Sequence, residues 1–239
     1  MKSIDLIQKL KIAFGEKVEL PIAFWYSDIA EPAPQRVNGC LFKALDATRK
    51  GTSITLDAET IGCTGGKFYA GFIEFPEKMI PNFVSCKEKY KKTPEMVTEF
   101  ALGIGHTYAE KPYLHFARID SLDTLDHVEG VLFFATPDVL TGLITWAFFD
   151  NNEPNAISTP FGSGCSSTVS QVVAENRKGG KRIFLGLFDP SVRPYVEANV
   201  LSLAIPMSRL QEMYLTFDDS SLVDTHAWSK VRARINEGA

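Results

Sequence analysis

The sequence predicts an α+β fold, in which a mixed β-sheet is interleaved with helices. Apolar runs of strand length alternate along the chain with segments that repeat apolar residues every three or four positions, which is the helical period. The connections between these segments vary in length, which favours a mixed sheet over a regular parallel one. No low-complexity segment or long linker interrupts the pattern, so residues 1–239 are predicted to form one integral domain. The stretch at 103–112 is the candidate boundary between two halves.

Helices are predicted where apolar residues recur at helical spacing beside a capping residue or a terminating glycine. The clearest start is at Thr93 and Pro94, where a capping threonine precedes a proline at the first helical position. Residues 40–49 lie between Gly39 and Gly51 and carry one apolar face. The other predicted helices begin or run at 3–14, 137–147, 166–176, 206–214 and 224–235.

Strands are predicted at short apolar or alternating runs. The run at 131–135 is apolar throughout, which is typical of a strand buried on both faces. A glycine-rich loop at 62–66 precedes another predicted strand at 67–75. The remaining extended segments are 22–26, 54–56, 113–119, 156–161, 182–188 and 200–205.

The chain contains a weak internal sequence repeat. Cys40 follows Gly39 at the start of a predicted helix that ends before Gly51, and Cys165 follows Gly164 at the start of another. One interpretation is a duplication into two weakly related halves, in which Cys40 and Cys165 would be pseudo-equivalent. The spacings between the repeated motifs differ, which favours the alternative of two unrelated halves.

Composition and charge narrow the range of partners. With 45% hydrophobic and 23% charged residues the chain has the composition of a soluble globular protein. Its formal net charge of −4 argues against nucleic-acid binding, which usually requires a basic surface. No apolar run is long enough to span a membrane, and the first fifteen residues lack the uninterrupted apolar run of an export signal. We therefore expect a cytoplasmic protein whose four cysteines stay reduced.

Two segments place a cysteine among glycines and predict a ligand site. One is the segment 62–67, and the other is the segment 160–167, which leads into a helix with Cys165 in its first turn. The dipole and the unpaired N–H groups at a helix N-terminus favour an anion or a thiolate, so a low pKa is expected for Cys165. The predicted ligand-binding residues are Cys63, Gly65, Gly66, Lys67, Gly162, Gly164, Cys165 and Ser166.

Packing alone could explain the same residues. Cys165 lies at helical spacing from Val169 and Val173, and a free cysteine is among the most buried residue types. A tight glycine turn would account for Cys63. The segment 62–67 is also not a phosphate-binding Walker A loop, because Phe68 stands where that motif needs serine or threonine.

A thiolate-bound metal is a further hypothesis. Thiolates bind zinc and iron–sulfur clusters. The chain has no Cys-x-x-Cys pair, but three of its cysteines each adjoin a glycine near the start of an element and could converge in the fold. The predicted metal ligands are therefore Cys40, Cys63 and Cys165.

The ordered set of motifs resembles a known protein family. The segments that carry the resemblance are Gly39-Cys40, Arg49-Lys50-Gly51, Gly62-Cys63-Thr64-Gly65-Gly66-Lys67, Val131-Leu132-Phe133-Phe134-Ala135-Thr136-Pro137, Gly164-Cys165 and Leu201-Ser202-Leu203-Ala204-Ile205-Pro206. Together they are similar to the uncharacterised prokaryotic ArCR family. The resemblance covers nearly the whole chain and implies one integral domain. Because the family has no established activity, it implies no catalytic residue.

We therefore expect a protein that binds a small molecule or a metal cofactor in a cleft between the two glycine–cysteine segments. Thiol or iron–sulfur chemistry is the expected reaction class, and the cofactor would be an iron–sulfur cluster or another thiolate-bound metal. The alternative is a non-catalytic interaction or accessory module without a bound cofactor, whose glycine segments are only tight turns. The first hypothesis requires that the thiols lie close together in the fold.

Overall fold

A computed structural model describes residues 1–237 of the chain. The helices in this range are α1 (Ser3–Phe14), α2 (Leu41–Arg49), α3 (Thr64–Tyr69), α4 (Met79–Asn82), α5 (Pro94–Gly103), α6 (Pro137–Phe149), α7 (Gln171–Arg177), α8 (Met207–Thr216) and α9 (His226–Glu237). The strands are β1 (Ile22–Ser27), β2 (Ile54–Leu56), β3 (Tyr113–Arg118), β4 (Gly130–Ala135), β5 (Ile157–Ser158), β6 (Ile183–Gly186) and β7 (Leu201–Pro206).

The strands in the described range form one seven-stranded sheet in the order β2-β3-β1-β4-β7-β6-β5. β5 and β6 are parallel, whereas the other neighbouring strands are antiparallel. The predicted α+β class with a mixed sheet is confirmed. β4 pairs with β1 on one side and with β7 on the other, so it is a central strand, and all of its residues are buried.

Helices cover both faces of the sheet, so the molecule has two hydrophobic cores. Along β4, Leu132 and Phe134 point into the first core, with α2, α3, α5 and α7. Val131 and Phe133 point into the second core, with α1, α6, α8 and α9. A strand covered on both faces requires apolar residues on both, because successive side chains alternate between the faces.

The strand order is similar in the two halves of the sheet, β1 to β3 and β4 to β7, although the second half has the additional edge strand β5. In the first half β3 lies between β1 and β2, and in the second half β7 lies between β4 and β6. β1 and β4 pair antiparallel at the centre, as a two-fold rotation between the halves would require. The helical segments that follow Gly39-Cys40 and Gly164-Cys165 also pack in the same core. The topology supports the duplication hypothesis, which stays a prediction.

The strand predicted at 67–75 is wrong, because helix α3 occupies its first part. Phe68 and Tyr69 are buried in the first core, and this packing overrides the β-propensity of an aromatic run. The chain then turns at Gly71, where φ is +79°. A Cβ at Gly71 would lie 2.6 Å from the carbonyl oxygen of Thr107 and from the nitrogen of Ala109, so only glycine allows the two segments to approach this closely.

Two segments adopt π-helical turns that the sequence did not predict. Phe83–Lys87 extends α4, and Ser166–Ser170 leads into α7. The second is buried and rich in hydroxyls, which bond to carbonyl oxygens: Thr168 Oγ1 donates to Gly164 at 2.8 Å. Turns of this kind occur frequently at functional sites. The first lines the cavity described below through Phe83 and Val84, and the second begins three residues after Ser163, which also lines it.

The remaining predicted elements are present with shifted ends. The extended segment predicted at 156–161 forms a strand only over β5, because Pro160 has no N–H with which to continue the ladder. The predicted cap at Thr93 is present, since its Oγ1 accepts from the N–H of Met96 at 3.4 Å. No helix in the described range is both long enough and apolar enough to cross a membrane.

Candidate functional site

Residues 37–40 and residues 61–63 run side by side, and each of these segments ends in a cysteine. Val37 and Ile61 form a parallel bridge, and the N–H of Gly62 donates to the carbonyl oxygen of Val37 at 3.0 Å. A Cβ at Gly62 would lie 2.5 Å from that oxygen, so glycine is required for the approach. Cys40 and Cys63 then occupy the N-cap positions of α2 and α3.

A third helix start carries Cys165. A Cβ at Gly164 would lie 2.7 Å from a ring atom of Phe42 in α2, so this turn packs directly against the helix that Cys40 caps. Cys165 is only 5% exposed, whereas Cys63 is exposed and Cys40 is half-buried. The fold therefore brings together three helix starts, each with a cysteine.

Cys40 and Cys63 are both close enough to Cys165 to raise its pKa. Burial raises the pKa of Cys165 well above its usual value, and Cys40 and Cys63 shift it in the same direction. Burial also raises the pKa of Cys40, and Cys63 adds to that shift. The expected low pKa of Cys165 is therefore wrong, because removing a thiolate from water outweighs stabilisation by a helix N-terminus. Cys40 and Cys165 are protonated at neutral pH.

A cavity of about 300 Å³ lies between the two glycine–cysteine segments. Cys63 and Gly65 line it from one segment, and Gly162 and Ser163 from the other. Side chains of α4, its π-helical extension and α5 complete the wall. The apolar lining residues are Tyr69, Met79, Ile80, Phe83, Val84, Val97, Phe100, Ala101 and Phe161. An apolar cavity of about 150 Å³ binds benzene, so this one has room for a bicyclic molecule.

The connection after β6 contributes one buried carboxylate, that of Asp189, to the lining of the cavity. Its Oδ1 accepts hydrogen bonds from the N–H and the hydroxyl of Ser191, at 2.9 and 2.8 Å. The negative charge of Asp189 raises the pKa of both Cys40 and Cys165. It also contributes to the raised pKa of Tyr69, after burial and Cys165. Asp189 therefore lies within electrostatic range of the thiols and of the cavity wall.

The structure divides the predicted ligand-binding residues into two groups. Cys63, Gly65 and Gly162 line the cavity. Five others do not line it, and four of these are buried in the packing around it. These five are Gly66, Lys67, Gly164, Cys165 and Ser166, of which Lys67 is the half-exposed one.

Residues 1–237 contain no group of three or more His, Cys, Asp or Glu side chains arranged to hold a metal ion. Cys40, Cys63 and Cys165 lie within electrostatic range of one another but do not form such a group. In the described structure His115 pairs with two hydroxyls, whereas the ring of His106 stacks on an aromatic ring and both of its nitrogens are buried without a hydrogen-bond partner. Neither is hydrogen-bonded to a cysteine.

Reasoning from the sequence missed Asp189 and the helical wall formed by α4 and α5. Asp189, Pro190 and Ser191 are typical turn residues, and the short polar side chains in such turns bond to nearby backbone N–H groups. That pattern predicts the bond to Ser191 but not the burial of the carboxylate, which depends on how the turn packs against residues distant in the chain.

Comparison with known proteins identifies the family. A family model described as "Uncharacterised ArCR" matches residues 15–215. The searches among curated proteins and among solved structures give no match. The matched range includes Cys40, Cys63, Cys165 and Asp189, and it covers most of the chain. The protein therefore belongs to the uncharacterised ArCR family.

Proposed function

We propose that this protein binds a small, largely apolar organic molecule in the cavity between the two glycine–cysteine segments. The observation that carries the proposal is the cavity itself, whose wall is apolar except for a few converging polar groups. Binding sites for small molecules are typically concave and mostly apolar, with volumes from roughly 300 Å³ upward and a few polar groups that orient the ligand. The proposal places the protein in the cytoplasm, where its thiols stay reduced.

Cys63 is the thiol that a ligand would meet. It is exposed and lines the cavity, whereas Cys165 is buried behind the wall and Cys40 is half-buried. Protonated thiols are weak hydrogen-bond donors and polarizable apolar contacts. The proposed site is therefore a binding site with one accessible thiol.

A cavity-filling variant tests the proposal with indole as a neutral bicyclic probe. A Cβ at Gly65 would meet only the Sγ of Cys63, at 3.8 Å, so Gly65→Leu places a larger side chain at the cavity wall without a backbone clash. Gly103→Leu is the matched control, because a Cβ at this helical glycine meets nothing within 4 Å. Isothermal titration calorimetry should detect indole binding to the wild type and to the control.

Binding to Gly65→Leu should be weaker by at least about tenfold, which is a loss of roughly 1.4 kcal/mol. Circular dichroism would first establish that both variants are folded. Equal affinity of the three proteins for indole, or no binding to the wild type at the highest soluble concentration, would contradict the proposal.

A thiolate-bound metal or iron–sulfur cluster is the second candidate, favoured by the convergence of Cys40, Cys63 and Cys165 at three helix starts. It requires these side chains to move closer together, since the described residues hold no group arranged around an ion. Metal binding would also have to displace the thiol protons, which the raised pKa values of Cys40 and Cys165 oppose. Anaerobic purification with a visible absorption spectrum and iron and sulfide analysis tests this candidate.

A non-catalytic interaction module is the alternative of a different class. Three apolar side chains that line the cavity are also exposed to solvent: Met79 at 60%, Phe83 at 46% and Phe161 at 38%. Exposed apolar groups that lie together can mark a protein-binding surface. In that case Phe83→Ser would abolish capture of a protein partner while Gly65→Leu, which acts at the cavity wall, would leave it unchanged.

A further inference from the structure

We infer that the ligand of this cavity carries an organic ammonium group, which pairs with Asp189 beside the aromatic rings of the wall. The inference rests on the proposed function, because it names the chemical class of the molecule that occupies the same cavity.

Asp189 is a buried carboxylate without a cationic partner. It is 6% exposed, and both of its hydrogen bonds from Ser191 go to Oδ1. Within residues 1–237, Oδ2 accepts no hydrogen bond and Asp189 forms no ion pair. A carboxylate removed from water costs free energy unless a cation or further donors compensate it. Although Oδ2 has no hydrogen-bond partner, it is not fully enclosed by protein atoms, so a group in the cavity can reach it.

The wall around this carboxylate is rich in aromatic rings. Five of the lining residues are aromatic: Tyr69, Phe83, Tyr90, Phe100 and Phe161. The face of an aromatic ring attracts a cation within about 6 Å, and such rings are the usual partners of organic ammonium groups. An anionic ligand would instead be repelled by Asp189, and a neutral hydrocarbon would leave Oδ2 without a partner.

Lys91 is the one lysine among the residues that line the cavity, and its ammonium group contacts an aromatic ring of the wall. Lys91 Nζ lies 4.4 Å from the centroid of the Phe100 ring, so an ammonium group of the chain already uses one of these rings. Lys91 forms no ion pair with Asp189, although both line the same cavity. The carboxylate is therefore left for a cation that comes from outside the described chain.

The backbone beside these groups is unusual. Leu187 and Lys89 are the non-glycine residues with positive φ in the described range, at +68° and +58°. Leu187 precedes Asp189 by two residues, and Lys89 directly precedes Tyr90 and Lys91, which line the cavity. Branched and long side chains adopt this conformation only where the surrounding fold imposes it, and such positions cluster at binding sites. This geometry agrees with a fixed position for the carboxylate.

Three indole probes of different charge test the inference: tryptamine carries an ammonium arm, indole carries none, and indole-3-acetate carries a carboxylate arm. Titration calorimetry is done at pH 7 with a chelator present, where the amine of tryptamine is protonated. We expect tryptamine to bind at least about tenfold more tightly than indole, and indole-3-acetate to bind more weakly than indole. The chelator ensures that no metal ion mediates the pairing.

Asp189→Asn should remove the preference for tryptamine over indole. Asp189→Glu keeps the charge and should retain a preference, and Glu99→Gln is the matched control, since it removes an exposed carboxylate of α5 that does not line the cavity. Circular dichroism and a thermal melt establish that each variant is folded. If Asp189→Asn does not fold, the order of the three probe affinities in the wild type and the tryptamine preference of Asp189→Glu decide the test.

The outcomes separate this inference from the function it rests on. Indole binding that Gly65→Leu weakens, without any preference for tryptamine in the wild type, would overturn the inference and leave the proposed function standing. A tryptamine preference that persists in Asp189→Asn would also overturn it. Absence of binding by all three probes would overturn both. A tryptamine preference that Asp189→Asn removes and that Glu99→Gln leaves unchanged supports both.

Discussion

Asp189 lies at the cavity and within electrostatic range of two thiols, and its charge acts on the pKa values of both. Its carboxylate lines the cavity, and its charge disfavours the thiolate forms of Cys40 and Cys165. Both thiols also have burial as the main cause of their raised pKa values. A cation that neutralises Asp189 would therefore favour deprotonation of these thiols, so ligand binding and thiol reactivity are expected to be coupled.

Asp189→Asn should lower the pKa of the Cys40 thiol. The substitution removes a negative charge that disfavours the thiolate, so alkylation of Cys40 by iodoacetamide should become faster at a given pH below the thiol pKa. Peptide mass spectrometry across a pH series measures the rate at this residue. In Glu99→Gln the pH profile should match that of the wild type, and an unchanged profile in Asp189→Asn would contradict the prediction.

Thiol labelling of the folded protein should distinguish the four cysteines. Cys63 and Cys86 are exposed and should react readily, whereas Cys165 is buried and should react only after denaturation. Cys40, which is half-buried, should be intermediate. The measurement is site-resolved mass spectrometry before and after addition of guanidinium chloride. Labelling of Cys165 at the rate of Cys86 under native conditions would show that the buried position is wrong.

At the scale of elements, the close contact between the segments before α2 and α3 holds Cys40 beside Cys63. Gly62→Ala would place a Cβ 2.5 Å from the carbonyl oxygen of Val37 and force the two segments apart. We expect a loss of about 1–3 kcal/mol in the free energy of unfolding, as for other overpacked sites. Urea denaturation measures the loss.

Gly103→Ala is the matched control for this substitution, because it adds a methyl group in open space within a helix. It should be neutral or slightly stabilising, since alanine has the higher helix propensity. If Gly62→Ala is as stable as Gly103→Ala, the two segments are not held in the close contact described above.

A buried ion pair joins α6 to α8 on the other face of the sheet. Arg209, whose side chain is fully buried, binds the carboxylates of Asp150 and Glu212 and donates to the carbonyl oxygen of Ala147 at 3.0 Å. Asp150→Ala leaves this guanidinium with incomplete compensation and should cost roughly 3 kcal/mol of stability. Urea denaturation of Asp150→Ala measures the loss; a value near zero would contradict the role of the pair.

Low pH should weaken the same pair. Burial raises the pKa of Asp150, but the hydrogen bond and charge of Arg209 outweigh it and hold this pKa below its usual value. The contribution of Asp150 to stability is therefore present above the pKa of the unfolded state and is lost as the pH falls through the lowered pKa of the folded state. The stability difference between wild type and Asp150→Ala should shrink over that range.

At the scale of the whole molecule, the sheet passes without a break from one half of the chain to the other through the pairing of β1 with β4. Both cores pack on this sheet and draw residues from both halves. The prediction of one integral domain therefore implies a single cooperative unfolding transition. Tryptophan fluorescence and far-ultraviolet circular dichroism should give coincident urea curves; two separate transitions would contradict the single domain.

The fold was predictable where local pattern and final packing agree. β4 is apolar at every position because both of its faces are covered, and α5 begins at a threonine cap and a proline. Prediction failed at 67–75, where an aromatic run favours a strand in isolation but Phe68 and Tyr69 pack as part of α3. Local propensity is a weak guide where tertiary contacts decide.

The candidate site was predictable only in part. The glycines beside Cys63 and Cys165 indicated close backbone approaches, and the structure shows such approaches at Gly62 and Gly164. The pKa of Cys165 was mispredicted, because burial depends on residues far away in the chain. The position of Asp189 was not predictable for the same reason.

The two outermost strands, β2 and β5, are the shortest in the described sheet, with three and two residues. Part of the outer side of β2 is also covered, since the N–H of Gln35 donates to the carbonyl oxygen of Thr55 at 2.9 Å. A sheet edge with few free N–H and carbonyl groups is a poor template for pairing with another chain. The strongly apolar central strands are thus shielded at both margins, which should protect the protein from edge-to-edge aggregation at high concentration.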